Sequence, residues 1–437
     1  MTGGIALNSI NIGLLGFGNI GMGVIEILDK NNALIESTLN CSIIVKKILI
    51  RDLSKYRDTM VSKDIFTALA DDILLDPEID IVVELIGGVH PAYDFIKKAL
   101  GERKHVVTAN KAVIALYGQE LFELARSNGV SIRFEGSVAG GIPVIAAMTK
   151  SLAANRIEEV VGIINGTTNY ILTRMDESGM SFEDALIEAQ KKGFAEVDPS
   201  SDIEGEDAAF KLSILTYVAF GIKVHPEDIP REGIKRISER EIDYAKQLGY
   251  KVKLLASVKR KQQGIEIHVH PTLVPYQHPL ASVNYEYNAL YIKGNAVGEL
   301  MLYGKGAGTL PTGSAVMGDI MEIIQRINSH LKGDTDYIAK DMAIPKIIGE
   351  GTGAYYIRLQ VADRPGVLGK ITTAFGNNGI SLESVVQRGR GDMSVPLIFV
   401  THEVERDKLD IALKEIEALE TVEEVASILR VQRKGKS

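Results

Sequence analysis

Residues 189–221 read AQKKGFAEVDPSSDIEGEDAAFKLSILTYVAFG. Four carboxylates, Glu196, Asp198, Asp202 and Asp207, fall within twelve positions, and Lys211 follows four residues after the last of them. Residues four apart share a helix face, so this spacing sets Lys211 beside Asp207. The residues after Lys211 are apolar, and a lysine entering an apolar helix is costly unless it is paired or used. Asp207 supports its charged form. A charged lysine beside an aldehyde oxygen can donate the proton that completes an alcohol when hydride reaches the carbon, and can take it back in reverse. The acids upstream suit the cationic group of a substrate. The bland alternative is a surface ion pair worth about 0.3–0.5 kcal/mol, and these residues alone leave both readings open.

Such chemistry needs a hydride carrier. LLGFGNIGMG (14–23) holds Gly16, Gly18 and Gly21 in a G-x-G-x-x-G frame. An apolar run precedes it, and Ile20, Val24, Ile27 and Leu28 follow near helical spacing, so the glycines lie between a strand and a helix. Gly16 would allow the tight turn, Gly18 the approach of backbone to pyrophosphate, and Gly21 the packing of helix on sheet. Phe17, Asn19 and Ile20 complete the cradle. The next strand, 41–50, ends at Arg51, followed by Asp52 and Lys55. A cation there suits a 2′-phosphate; the alternative is a solvated loop charge. The segments 79–88 and 104–115 read as strands whose tips, the second bearing Thr108, Asn110 and Lys111, qualify as the floor of a nicotinamide site. In 130–145, Glu135 and the small residues from Val138 to Ile142 can hold a hard cation such as Na⁺, although Gly-Gly-Ile-Pro is also an ordinary domain junction. VGIINGTTNYIL (161–172) reads as strand, turn and helix, with Asn165, Gly166, Thr167 and Thr168 offering donors at the helix start.

The chain has 437 residues, enough for two or three domains. A net charge of −8 argues against a nucleic-acid binder. The single cysteine, Cys41, excludes an intrachain disulfide, which suits a reducing cytosol. No window reaches the ~18 apolar residues of a membrane span. The apolar run 212–224 is broken by Ser213, Thr216 and Lys223 and reads as a buried helix. His268 and His270 share one face of a strand; without a third ligand nearby, an exposed strand face is favoured over a metal pair. Methionines at helical spacing in 317–327 read as core. Beyond residue 354 the pattern is βαββαβ, a ferredoxin-like order.

AQKKGFAEVDPSSDIEGEDAAFK (189–211) resembles the signature segment of homoserine dehydrogenases, and the resemblance extends over most of the chain. It includes the GFGNIG cradle, TANK (108–111), NGTTNYIL (165–172), HPLASV (278–283), the dipeptide 288–289 and GKGAGTLPTGSAVMGDI (304–320). The resemblance implies interconversion of L-homoserine and L-aspartate 4-semialdehyde with NADP (or NAD). It implies Lys211 as catalytic lysine with Asp207 its partner, Lys111 beside the nicotinamide, and Glu196, Asp202 and Thr168 at the substrate. It further implies sodium at Glu135 with the backbone of Val138, Gly140 and Ile142, and a returning loop, Gly304, Gly306 and Gly308, against the cofactor. VADRPGVLGKI (361–371) resembles the start of an ACT domain, a module that commonly binds an amino acid, here expected near Asp363, Gly366 and Asn378; the alternative is a dimerisation module without ligand.

The expectation is therefore α/β: a Rossmann-type nucleotide-binding domain (1–142), an α+β catalytic and dimerisation domain with a mixed sheet (143–331, with 305–331 returning to the cofactor domain), a linker (332–353) and a ferredoxin-like ACT regulatory domain (354–437). A homodimer or homotetramer in the cytoplasm is expected, with a small-molecule substrate, an amino-acid effector (threonine), no nucleic acid and no membrane. Because the cradle begins near residue 10, no fused aspartate kinase domain is expected. Two competitors are a nucleotide sensor without turnover and a dehydrogenase acting at an amine carbon.

Overall fold

The computed structural model describes residues 8–52, 61–262, 264–329, 346–347, 351–387 and 394–433. They form two compact units. One holds the chain up to Ile157, Phe210–Asp228 and the segment from Asn288; the other holds Glu158–Ala209, Ile229–Tyr287 and the described C-terminal segments.

The first unit opens with β1 (Asn8–Leu15), α1 (Asn19–Leu39), β2 (Cys41–Leu49), β3 (Phe66–Thr67), α2 (Asp71–Leu74), β4 (Ile81–Glu84), α3 (Ala92–Gly101), β5 (His105–Thr108), α4 (Lys111–Asn128), β6 (Ile132–Arg133) and the single turn α5 (Val144–Ala146). The strands form a six-stranded sheet in the order β3-β2-β1-β4-β5-β6, with every pair parallel. This is the doubly wound order, with its switch between β1 and β4. The apolar runs follow from it: parallel strands covered on both faces tolerate few polar side chains, and all four β4 residues are buried. No described helix is long and apolar enough to cross a membrane.

The chain continues through β7 (Ile157–Ile163), α6 (Gly166–Ser178), α7 (Phe182–Lys191), α8 (Ser200–Ile203) and α9 (Glu206–Phe220). It then forms α10 (Glu239–Gln247), β8 (Tyr250–Lys261), β9 (Gly264–Pro275), β10 (Tyr287–Gly294), β11 (Gly298–Lys305) and α11 (Thr309–Asn328). Leu212, Leu215, Val218 and Phe220 are buried, so the apolar run after Lys211 is a buried helix as its pattern predicts. In the first unit α11 returns to α1, and the approach is close: a Cβ on Gly23 would lie 2.3 Å from the Thr309 carbonyl oxygen. Val316, Met317, Ile320 and Ile324 of α11 join Val24, Leu28 and Ile35 of α1 in one core.

The C-terminal part holds β12 (Lys346–Ile347), β13 (Thr352–Ala362), α12 (Val367–Asn377), β14 (Leu382–Gln387), β15 (Ser394–Thr401), β16 (Val404–Glu405), α13 (Arg406–Glu417) and β17 (Val422–Val431). Its strands run β17-β13-β15-β14, all antiparallel. Tyr355, Ile357 and Leu359 of β13 share a core with Phe375, Phe399 and Ile416, which confirms the ferredoxin-like reading. Most of the expected linker lies outside the described residues; its described portion includes β12, which runs parallel to β9. The module is also no separate bead. Arg430 and Val431 of β17 pair in parallel with Thr272 and Leu273 of β9, so the second unit carries one mixed sheet, β7-β8-β9-β17-β13-β15-β14.

This continuation corrects one expectation. His268 and His270 are not on an exposed face: they are 8% and 6% exposed, and their rings stack at 5.0 Å. Burial, with Arg430 nearby, holds both imidazoles below their ordinary range, His270 at about 3. Among the described residues no group of three His, Cys, Asp or Glu side chains is placed to hold a metal ion.

Candidate active site

The first unit presents the cradle at the carboxyl end of β1. Gly16 has φ +107°, and a Cβ there would lie 2.9 Å from the Leu85 carbonyl oxygen. A Cβ on Gly21 would lie 2.9 Å from the Gly16 carbonyl oxygen. Gly18 is different: nothing lies within 4 Å of its Cβ position, and no side chain caps α1 there. The open N–H groups of a helix start facing empty space fit a pyrophosphate. Phe17 points inward against Phe66, ring centroids 5.5 Å apart, so its backbone alone remains for a ligand. Asn19 is exposed and Ile20 half-buried. Arg51 is exposed just past the end of β2, with Asp52 beside it.

A carboxylate that the sequence reading passed over organises the neighbouring strand tips. Glu84 is fully buried at the end of β4. It accepts the Thr108 hydroxyl at 2.6 Å and the Ile86 amide at 2.7 Å. The same Thr108 oxygen accepts the Asn110 amide at 2.9 Å. Asn110 caps α4 by accepting the Val113 amide and donates to the Gly88 carbonyl at 2.7 Å. Lys111, half-buried, begins α4. Thr108 therefore positions the turn bearing Lys111, its hydroxyl proton spent on Glu84. Burial pushes the Glu84 carboxyl up. An acid closing the apolar strand IVVE was the visible signal.

Glu135 is buried, and its carboxylate oxygens accept the Ile145 and Ala146 amides, each at 2.7 Å. Its own amide donates at 2.8 Å to Asp319 of α11, another buried carboxylate absent from the sequence reading. Burial pushes both upward, Glu135 to about 7. The adjoining turn is left-handed at Ala139 and Gly140 (φ 57° and 52°), and Val138 and Ile142 are buried. Each Glu135 oxygen keeps a second lone pair, and a carboxylate beside backbone carbonyls is a hard-oxygen donor set that fits an alkali cation. Gly306 packs against this turn: a Cβ on Gly140 would lie 2.5 Å from the Gly306 carbonyl oxygen. A Cβ on Gly306 would fall 2.0 Å from the Asn288 side-chain nitrogen. Asn288 is 1% exposed, and its amide has no hydrogen-bond partner among the described residues. Gly308, φ +124°, starts α11.

In the second unit, Asn165 is the centre. As the cap of α6 it accepts the Thr168 amide at 2.9 Å and the Thr168 hydroxyl at 2.8 Å. Its side-chain NH₂ donates to Asp202 at 2.6 Å and to Asp207 at 2.8 Å. All four donor and acceptor positions of this amide are thus engaged. Asp207 is 4% exposed and Asp202 half-buried. Thr168 is buried, and its hydroxyl proton goes to Asn165, so it stands one layer behind the acids. The other two acids diverge. Asp198 accepts the Ser200 amide and hydroxyl at the start of α8. Glu196 is exposed on the preceding loop. Lys211, half-buried, follows Asp207 by four residues in the continuous helix α9, and belongs to the part of that helix counted with the first unit.

In the C-terminal module a cavity of about 370 Å³ is lined by Asp363, Gly366 and Gln387. Asn378 is not part of it. It closes the far end of α12 and donates to Glu415 of α13 at 3.0 Å. Gly366 and Asn378 cap opposite ends of this eleven-residue helix, about 16 Å at 1.5 Å per residue.

Comparison with known proteins matches three successive segments. Residues 16–135 match the homoserine dehydrogenase NAD binding domain, 143–321 the homoserine dehydrogenase family and 355–421 the ACT domain. The homoserine dehydrogenase of Bacillus subtilis is 40% identical over 437 residues, covering 99% of this chain and all of the relative. A crystal structure of a homoserine dehydrogenase from Thiobacillus denitrificans superposes with a TM-score of 0.90 at 41% identity, covering 97% of this chain and 98% of that one. A hyperthermophilic archaeal homoserine dehydrogenase solved with NADPH superposes at 0.62 and 29% identity over 74% of this chain and 99% of that one. The open cradle and the Asn165-bridged acids leading to Lys211 are thus found in a chain that belongs to the homoserine dehydrogenase family, a group of nicotinamide-dependent oxidoreductases.

Proposed function

We propose that the enzyme reduces L-aspartate 4-semialdehyde to L-homoserine, and runs the reverse, with NADP(H) as the preferred carrier, in the cytoplasmic formation of threonine, methionine and isoleucine. The observation that carries the reading is the Asn165 bridge between Asp202 and Asp207, one helical turn before Lys211. A nicotinamide held at the Gly16–Gly18–Gly21 cradle would supply or accept the hydride. Lys211 donates its proton to the carbonyl oxygen as that oxygen gains charge, and recovers it in oxidation. Asp207 keeps the ammonium oriented. Asp202, with Glu196 at the loop, binds the substrate ammonium. Lys111 sits at the nicotinamide, on the turn held by Thr108 and Glu84. NADPH oxidation by purified protein should depend on aspartate semialdehyde and ignore ammonia. Cofactor binding without turnover would point to a sensor, and ammonia dependence to chemistry at an amine carbon.

The preference for NADP rests on Arg51, and the archaeal relative solved with NADPH supports it. Arg51→Ala should raise the KM for NADPH about tenfold, the scale of one charge-assisted phosphate contact, and leave that for NADH nearly unchanged. Equal effects on the two would make Arg51 a bystander.

Sodium at Glu135, with the carbonyls of Val138, Gly140 and Ile142, would fix the turn against which Gly306 packs. A ligand bound only by the folded state raises the melting temperature. NaCl should therefore raise Tm above that in matched choline chloride, and Glu135→Gln should abolish the difference. An identical Tm in both salts for the wild-type protein would remove sodium from the account.

The enzyme assembles as a homodimer or homotetramer, and threonine inhibits it through the ACT module. Titrating threonine into the NADPH assay tests this directly.

A further inference from the structure

β10 and β11 are neighbours in the sheet, joined by the short turn 295–297. A connection of that length makes an antiparallel hairpin. The first residues of β10 therefore lie beside the last of β11, and Asn288 meets Gly306. Both belong to the first unit, as does the turn at Gly140.

Asn288 opens a buried apolar run, with Ala289, Leu290, Tyr291 and Ile292 after it. It is itself buried, yet neither its Nδ2 nor its Oδ1 has a hydrogen-bond partner among the described residues. A buried carboxamide left unbonded destabilises the fold, whereas an apolar residue of the same shape would not. An asparagine at this position therefore serves something other than the stability of this arrangement.

The carboxamide rests on a neighbour with the same deficit. A Cβ on Gly306 would collide with Nδ2, Cγ and Oδ1 of Asn288 alike, so the amide lies against the bare Cα of Gly306. Gly306 is buried, and no hydrogen bond among the described residues involves its own N–H or C=O. The loop is anchored on either side of it. The Lys305 carbonyl accepts the Gly141 amide at 3.1 Å, and the Gly308 carbonyl accepts the Thr312 amide at 3.1 Å. Between those anchors the Gly306 carbonyl oxygen and the Ala307 nitrogen lie 2.5 and 2.9 Å from the Cβ position of Gly140. The loop is thus fixed at its ends and unbonded at Gly306, where an unbonded carboxamide faces it.

We propose that Asn288 is a latch for the loop 304–308, a positioning residue that acts on the cofactor through that loop. When the nicotinamide cofactor is bound, Gly306 turns its backbone toward Asn288, and the carboxamide donates to the Gly306 carbonyl and accepts from the Gly306 amide. The N–H and C=O of one extended residue point the same way, as in a β ladder, and a carboxamide offers the matching acceptor and donor. The missing side chain at 306 lets the two groups approach. Bonds made only in the bound arrangement raise the affinity for whatever selects that arrangement. The proposal rests on the reading of 304–308 as the segment that returns to the cofactor.

The test is fluorescence titration of the full-length enzyme with NADPH and with NADH, alongside thermal melts and hydrogen exchange of segment 304–308 read by mass spectrometry. Asn288→Leu keeps the shape and removes both unbonded groups. The Tm of the cofactor-free protein should hold or rise. Kd should weaken about tenfold or more, the loss of a pair of buried hydrogen bonds. The factor should be the same for NADPH and NADH, because the loop does not read the 2′-phosphate. Saturating NADPH should slow exchange across 304–308 in the wild-type protein and much less in Asn288→Leu. Should Asn288→Leu fail to fold, Asn288→Ala decides by its Kd and its exchange. Wild-type Kd with wild-type protection overturns the latch and leaves the loop's contact with the cofactor standing; a lowered Tm would then make Asn288 an ordinary core residue. Weakened binding with wild-type protection at saturation shows Asn288 acting by another route and also overturns the latch. If NADPH leaves exchange across 304–308 unchanged in the wild-type protein, the loop does not meet the cofactor, and the proposal falls together with the reading beneath it.

Discussion

Lys211→Ala is expected to lower kcat for aspartate semialdehyde by about two orders of magnitude or more, the usual scale for loss of a general acid. In α9 the residues after Lys211 are largely buried and apolar. A half-buried ammonium there needs compensation, and Asp207 stands one turn earlier on the same helix. The cost falls on kcat because proton donation matters only as the oxygen gains charge. The Kd for NADPH, measured by fluorescence, should change little, because the cradle glycines lie elsewhere in the chain. Lys211→Arg tests the proton itself: it keeps a cation at the position but does not give up its proton near neutral pH. It should remain slow. Near-normal turnover in folded Lys211→Ala sinks the assignment.

Asn165→Ala is expected to reduce kcat/KM by a comparable factor although Asn165 is assigned no part in the chemistry. Its NH₂ group holds Asp202 and Asp207, and its oxygen holds the start of α6 through Thr168. Removing it leaves two carboxylates without the donor that holds both in place. It also leaves the buried Thr168 amide without its acceptor and the Thr168 hydroxyl with only the longer bond to the residue 165 backbone carbonyl, at 3.2 Å. Unmade buried bonds of this kind cost about 1–3 kcal/mol, so Tm should fall by several degrees at the roughly 2–4 °C per kcal/mol of domains this size. Misplacing a reacting group by about an ångström costs on the order of 10²-fold in rate. Asn165→Ser separates the two roles. Serine is a good helix cap, so it should recover much of the lost Tm, but one hydroxyl cannot donate to both acids and kcat/KM should stay low. Recovery of both by serine would reduce Asn165 to a cap.

The sequence by itself determined the elements and the chemistry they carry. Local spacing was sufficient wherever neighbours in the chain are also neighbours in space. The Gly16–Gly18–Gly21 frame between strand and helix, the four-residue spacing of Asp207 and Lys211 within one helix, and the βαββαβ pattern beyond residue 354 are features of this kind. Tertiary structure decided what distant segments do to one another. The Asp202–Asn165–Asp207 bridge joins residues 37 and 42 positions apart, and neither acid's spacing to the other announces an asparagine between them. Glu84 serves Thr108 across two adjacent strands, and Asp319 serves Glu135 from 184 residues away. His268 and His270 show the same limit. Alternation places both on one strand face, but whether that face meets water depends on side chains from more than 150 residues further along, Arg430 among them. Asn378 shows the converse: twelve residues from Gly366 is close in sequence, but a helix between them sets the two at opposite ends. Periodicity is a local property of the backbone, whereas burial and the partner of a polar group are set by whichever segment the fold brings alongside.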